Sequence, residues 1–444
     1  MEEIVALLHG INQTIIDKTT KKRLSLVVLA ILAMAGRVTM LGISRWTEEG
    51  GSYRTIQRLF NTEVEWSKLM VTCVAIWFAD ETDLFMLAGD ETVVTKAGKQ
   101  THGVDRYFSS IYGRPISGLA FLAFSLISVK RQSAYPVMME QVIKDKALCG
   151  KRKKRTKPKK QTTGKRGRPK GSKNKNRRDI ELPAHLQQMQ KWLCFILQLL
   201  EGANIRVKYF LFDGAFGNNA SVQMVRRCGL HLISKLRRDS ALYLPFNGEQ
   251  KKYGRRRKYG DKLDYKQLPE QYLVDDVNDG KFQTTTYQMQ VWHKLFPDLL
   301  NVVIIVKTKL ENGKRSHIVL FSSDLTLPAI DLIHYYRLRF QIEFNFRDAK
   351  QFWGLEDFMN VNERPVTNFA NLSMFMVSVS QRLIQRRRQQ TAAFGIHDLK
   401  AEFRGRKYGL ELLKLLPQSP DELLISQFFA KIGSLGGIHT AVDV

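Results

Sequence analysis

Apolar residues in the first 75 positions recur at helical intervals, from Ile4 through Ile16 and again from Leu24 through Met34, until Gly36 breaks the run. After it come VTMLGISRW and, past the Gly50-Gly51 turn, SYRTIQRLFN. A short helix, a glycine turn and a short basic-aromatic helix outline a helix-turn-helix-like module, whose second helix would offer Arg54, Gln57 and Arg58 to a DNA groove. The pattern then changes. Residues 84–98, LFMLAGDETVVTKAG, predict an apolar strand that ends in an acid, Asp90, and PISGLAFLAFSLISV and SAYPVMMEQVI predict two more strands within 115–144. AHLQQMQKWLCFILQLLEG has helical spacing. It leads into a short buried strand, Val207 to Phe212, with Asp213 at its end, then a glycine-containing turn and a helix through about Cys228. LHLISKLRRDS is the next strand, followed at a distance by FQTTTYQMQVWH, LNVVIIVKT and SHIVLFSS. One continuous helix is predicted from about Pro328 to Gly354, then another apolar helix ending in Arg386 to Arg388, and last a loosely patterned stretch over 389–444.

Candidate chemistry concentrates where these elements end. On the helix beginning near Pro328, Tyr336, Arg339, Glu343 and Lys350 fall within a sector of roughly 60° at about 100° per residue. Beside them runs an apolar stripe of Tyr335, Leu338, Ile342, Phe346, Ala349 and Trp353, which would dock the helix on a core. An ordinary amphipathic helix also carries mixed charges on its wet face, so the spacing Y-x2-R-x3-E-x6-K is the informative feature. Three carboxylates from separate places, Asp90, Asp213 and Glu343, have 122 and 129 residues between them. Converged, such hard oxygen donors suit Mg²⁺ or Mn²⁺.

The Y-R-E-K spacing resembles the catalytic-helix signature of the DDE transposases of the insertion-sequence-four type, often called YREK. Asp90 with Thr92, Lys96 and Lys99 is similar to that family's first acidic motif, and DGAFGN at Asp213 to its second. The resemblance implies an α/β chain built on an RNase H-like mixed sheet flanked by helices, with a β-rich insertion before the glutamate helix. The corresponding divisions are a helical DNA-binding domain at 1–75, the catalytic core at 76–238 and 325–385, the β-rich insertion at 239–324 and a C-terminal helical tail at 386–444. It also implies that Asp90, Asp213 and Glu343 are catalytic and hold two Mg²⁺ or Mn²⁺ ions, while Tyr336, Arg339 and Lys350 meet DNA phosphates. In the insertion, Tyr253, Tyr259 or Trp292 would stack on an unpaired base. The implied reaction is nicking at transposon terminal inverted repeats, release of the element and joining of 3′-ends to target DNA, by a homodimer on paired ends.

Composition narrows the partners. The 444 residues are 44% hydrophobic and 10% aromatic, enough for a large core, and carry a formal net charge of +28 with a pI near 9.9. Such a field calls for a polyanion, nucleic acid first and an anionic membrane second. The apolar runs at Leu26 to Ala35 and Leu119 to Val129 are too short to span a bilayer, and the acidic N-terminus does not read as a signal peptide. Four scattered cysteines without a CxxC pair indicate no disulfide framework or zinc site, and a reducing intracellular setting, the bacterial cytoplasm and nucleoid, is expected. From Lys151 to Arg178, sixteen of 28 residues are Lys or Arg and none is acidic, the mark of a disordered basic insertion. Within it Arg166-Gly167-Arg168-Pro169 looks like an AT-hook core, suited to an A·T minor groove. A sequence-blind phosphate-binding loop and a nuclear-import signal remain open for the same residues. KKYGRRRKYG at 251–260 adds Arg255 and Arg256 as candidate DNA contacts. Two other classes fit parts of this picture: a noncatalytic AT-rich DNA binder descended from a transposase, and a nuclease that hydrolyses without joining.

Overall fold

The computed structural model describes residues 2–47, 50–109, 112–144, 177–417 and 421–439. The expected basic insertion, with Arg166 and Arg168, lies outside the described residues except at Arg177 and Arg178.

Five helices open the chain: α1 (Glu2–His9), α2 (Lys18–Ala33), α3 (Met40–Trp46), α4 (Tyr53–Asn61) and α5 (Trp66–Phe78). Where the apolar periodicity reads on from Ile4 to Ile16, the structure stops α1 at His9 and starts α2 afresh after Asp17, whose carboxylate caps the Thr19 and Thr20 amides. Four strands follow, β1 (Phe85–Thr95), β2 (Asp105–Ser109), β3 (Arg114–Ser128) and β4 (Ser133–Val142). Then come α6 (Ala184–Gly202), β5 (Val207–Leu211), α7 (Asn219–Arg227) and β6 (His231–Lys235). Six more strands, β7 (Leu242–Pro245), β8 (Tyr259–Lys262), β9 (Leu273–Asn278), β10 (Phe282–His293), β11 (Leu300–Lys309) and β12 (Arg315–Ser322), precede α8 (Ala329–Leu338) and α9 (Gln341–Gln351). The chain closes with α10 (Glu363–Arg387), α11 (Ile396–Leu413) and α12 (Glu422–Ser434), so two helices occupy the stretch that reads as loosely patterned.

Among the described residues, the twelve strands join one mixed sheet, ordered β2-β3-β1-β5-β6-β12-β11-β10-β7-β8, with β4 on β3 and β9 on β10. β1, β3 and β4 form an antiparallel meander, and β5 and β6 continue it in parallel with β1. This is an RNase H-like α/β core. The late strands do not fold away from it: β12 pairs antiparallel with β6, so the sheet runs on through β11 and β10. Val302, Val303, Ile304, Val319, Leu320 and Phe321 are buried along that extension, which explains their unbroken apolar runs.

Helix α10 is the internal strut. Among the described residues one apolar cluster joins α1–α5, the sheet and α8–α11, and α10 buries Phe369, Phe375, Met376 and Val377 within it. Asn368 of α10 ties the N-terminal helices down. Its side chain accepts from Trp66 Nε1 at 2.8 Å and donates to the carbonyls of Phe60 and Thr62, the first two bonds buried and the third part-buried. At the other end of α10, Arg387 reaches both Glu3 of α1 and Glu402 of α11.

Candidate active site

Two parallel strands set the level of the site. In β1 and β5, Ala88 stands opposite Leu211, and two residues further along each chain bring Asp90 and Asp213 to the same height. The sequence pattern puts Asp90 at the exit of its own strand; in the structure β1 runs on to Thr95, with Asp90 paired opposite Ala123 of β3. The exit belongs to its neighbour, because β5 ends at Leu211 and leaves one edge of β1 open beside Asp90. Gly89 makes the approach possible, since a Cβ there would lie 2.7 Å from Phe212 and 2.9 Å from Phe210. Asp213 leads a tight 3-10 turn over Gly214–Phe216. Its Oδ1 accepts from the Ala215 amide, its carbonyl accepts from Ser234 Oγ at 2.7 Å, and Phe216 stacks back on Phe212 at 4.1 Å.

The predicted continuous helix is two helices. α8 ends at Leu338, Arg339 and Phe340 form a turn with αR backbone, and α9 begins at Gln341. Through this joint the backbone bonds span three residues, Tyr336 to Arg339, Arg337 to Phe340, Arg339 to Ile342 and Phe340 to Glu343. Such tightening advances side chains by more than 100° per residue and changes how Arg339 faces Glu343. Ile342, Phe346 and Ala349 bury α9 against the sheet, and Asn345 donates to Ser125 Oγ of β3. The stop comes at Gly354, whose φ of +81° suits glycine and whose Cβ would lie 2.4 Å from Val38 Cβ.

At the joint, Arg339 reaches two acids at once. Nη1 donates to Asp90 Oδ2 at 3.0 Å and Nη2 to Glu343 Oε1 at 2.8 Å, with the arginine side chain only 13% exposed. Burial pushes the Asp90 carboxyl above its usual range against the pull of Arg339, with Asp213 and Glu343 adding to the rise. Burial works against the charge of Arg339, yet Asp90 and Glu343 hold its pKa above the ordinary guanidinium value. Tyr336 sits in the same field, its phenol pushed up mainly by burial. Lys350 is one step removed: Nζ donates to the Val93 carbonyl of β1 at 2.9 Å and lies 3.5 Å from Glu356.

The donor set is all hard oxygen and suits Mg²⁺ or Mn²⁺ in kind. Among the described residues, no three histidine, cysteine, aspartate or glutamate side chains stand close enough to hold a metal ion as they are placed. The physical reason at Asp90 and Glu343 is that the Arg339 guanidinium lies between them.

The other candidates are dispersed. Lys96 folds inward, donating to the Phe358 carbonyl at 2.7 Å with its ammonium 3.5 Å from the Phe358 ring centre; burial lowers its pKa to about 8. Lys99 is exposed and shares a cleft of about 640 Å³ with Lys96 and Arg37. Arg54 and Arg58 line a separate groove on α4 with Gln57 and with Arg23 of α2. Arg255 and Arg256 project from the β7–β8 connection, and Trp292 is half-buried under Lys258, 4.9 Å from its ring centre, with Tyr259 at its edge. Sequence reasoning missed Arg23, Arg37 and Ser234. A lone serine in the buried run of β6 was the one available signal for Ser234.

The model of the DDE superfamily endonuclease family matches residues 11–295, more than half of the chain. The chain belongs to this family. No curated protein matches it. The matched stretch of this DDE endonuclease includes Asp90 and Asp213, while Glu343 and the α8–α9 joint lie beyond it. Among its described residues, no helix is long and apolar enough to cross a membrane.

Proposed function

We propose that this DDE endonuclease is a cut-and-paste transposase of the YREK type, in which Asp90, Asp213 and Glu343 hold two Mg²⁺ or Mn²⁺ ions at the end of the β1–β5 pair. The observation that carries the reading is the Arg339 bridge, which brings an arginine and a glutamate of the Y-R-E-K series onto the first of the two strand acids. Bound metal ions would activate a water or 3′-hydroxyl and stabilise the leaving 3′-oxygen. The chain's own residues do the rest. Asp90, Asp213 and Glu343 would hold the ions through their carboxylate oxygens, and burial of β1 and β5 fixes the spacing of the first two. Arg339, Tyr336 and Lys350 hold flanking phosphates by charge and hydrogen bonding. The substrates are terminal inverted repeats and target DNA, held by a homodimer in a bacterial cytoplasm. The α3–α4 helices, Lys96, Lys99, Arg255, Arg256, Trp292 and the basic segment with Arg166 and Arg168 supply further DNA contacts. In this reading residues 1–75, the core and the 239–324 strands act as domains of one machine.

The test is cleavage of a labelled duplex carrying the element's own end in Mg²⁺, with wild type, Asp213→Asn and Glu343→Gln compared at equal DNA occupancy. Both variants are expected to lose at least roughly a hundredfold in rate while still binding DNA. Equal cutting by the variants, or a wild type that binds and never cuts, would overturn the reading in favour of a noncatalytic binder.

A further inference from the structure

Asp90 Oδ2 and Glu343 Oε1 are separated by one guanidinium, and both oxygens lie where the proposed metal ions need ligands. A guanidinium and a hard divalent cation are rivals for the same carboxylate oxygens, since each satisfies them by charge and neither tolerates the other at contact distance. The side chain that does this sits at the α8–α9 joint, where the backbone bonds tighten to three-residue spacing. Mid-helix segments of that kind are places where a helix can re-aim a side chain with little loss of bonding. Arg339 donates to these two carboxylates and lies in the electrostatic field of Tyr336, so its partners are the site itself. Lys350, by contrast, donates to a strand carbonyl and lies near Glu356, not between Asp90 and Glu343.

We propose that Arg339 is an exchangeable latch: its guanidinium holds Asp90 and Glu343 together until a DNA phosphate draws it off, and only then are both carboxylates free for divalent cations. This rests on the metal-dependent reading of the site. It adds an order of events, DNA before a full complement of metal, which would keep the enzyme from cutting without its proper end in place. Linkage makes the order measurable. If DNA relieves the competition, DNA must tighten metal binding, and metal must tighten DNA binding by the same factor.

The experiment is Mn²⁺ titration of the full chain, followed by electron paramagnetic resonance, with and without a duplex bearing the element's end. Removing the charge-assisted bonds to Arg339 is expected to tighten Mn²⁺ binding roughly tenfold or more in Arg339→Gln without DNA. Lys350→Gln, the same loss of charge at a neighbour, is expected to change it by less than about threefold. Wild type should reach the affinity of Arg339→Gln only when the duplex is present, and in that variant the coupling between DNA and Mn²⁺ should fall to near one. Arg339→Lys, which keeps the charge but offers a single point donor, should lie between the two. If Arg339→Gln binds Mn²⁺ no better than wild type while wild type cleaves in Mn²⁺, the latch is wrong and the metal-dependent reading stands. A wild type that neither binds Mn²⁺ nor cleaves, with or without DNA, would sink both.

Discussion

Around Asp90, Asp213 and Glu343 the chain is packed from several sides, whereas residues 251–258, between β7 and β8, are exposed at every position. The acids stand on strands and on a helix whose inward faces are filled by Phe210, Phe212, Ile342, Phe346 and Ala349. The basic connection has no such backing; its cations meet mainly rings, Arg257 over Phe246 and Lys258 over Trp292. One region holds a few groups at fixed relative positions, as chemistry on a phosphodiester demands. The other, under the proposed function, offers exposed charge to a nucleic-acid backbone. Damage should therefore spread differently in the two: through the fold at the first, and only through binding at the second.

The largest expected effect is at the far end of α9. Trp353 is fully buried, and Lys400 lies 5.0 Å from its ring centre. Trp353→Ala should cost about 3–5 kcal/mol, read as a fall in the urea midpoint at unchanged slope. A cost below about 1 kcal/mol would mean that the packing around α9 does not hold Glu343 in place, and the contrast between the two regions would fail.

That stripe was legible in the chain: Tyr335, Leu338, Ile342, Phe346, Ala349 and Trp353 recur at helical spacing, and all are buried except Tyr335, which is half-buried. So were Asp213 at the exit of its strand and the strands of the sheet extension. The break at Arg339–Phe340 was not legible. Neither residue is a helix breaker, and the joint forms where Arg339 is drawn to Asp90, which is 249 positions away in sequence. Nor could periodicity show that Asp90 lies mid-strand, since what opens the site is the short length of β5 beside it. β7 and β8 were missed because each is only four residues long, and β9 because it is exposed along its whole length. The helical tail after 389 was expected without bounds; those of α12 were not legible because it buries no residue.

A second, smaller effect concerns how the N-terminal helices are fastened to the strut behind the site. Asn368→Leu leaves Trp66 Nε1 and the carbonyls of Phe60 and Thr62 without their buried partner. About 1–3 kcal/mol should be lost, by the same urea assay. If the loss is below about 0.5 kcal/mol, water reaches these groups and the N-terminal helices are not tied as the packing implies.

A third effect depends on pH. Asp324, just after β12, accepts from Tyr209, Thr326 and the Thr326 amide and pairs with Lys208; burial opposes its charge, but these partners hold its carboxyl well below the usual range. A carboxyl lowered on folding adds stability that is present above its unfolded pKa and lost as pH falls through the folded one. The urea midpoint should therefore decline as pH drops below the ordinary carboxylate value of 3.8, and Asp324→Asn should make that decline shallower. An unchanged slope in the variant would remove Asp324 from the acid-sensitive groups.

The smallest effect on the fold is expected where the cations stand alone. Arg255 and Arg256 are exposed, so their replacement by alanine should move stability by no more than about 0.5 kcal/mol. As the phosphate contacts proposed above, they would give a different signature. Each arginine that neutralises one phosphate of duplex DNA contributes about 0.9 to the slope of log affinity against log salt. The Arg255→Ala, Arg256→Ala double variant should therefore flatten that slope by up to about 1.8 and weaken binding most at low salt, by a similar factor on specific and unrelated duplexes. Loss confined to the element's end would instead mean that these arginines read bases, and an unchanged slope would mean that the exposed cations of the β7–β8 connection face solvent in the complex as they do in the free chain.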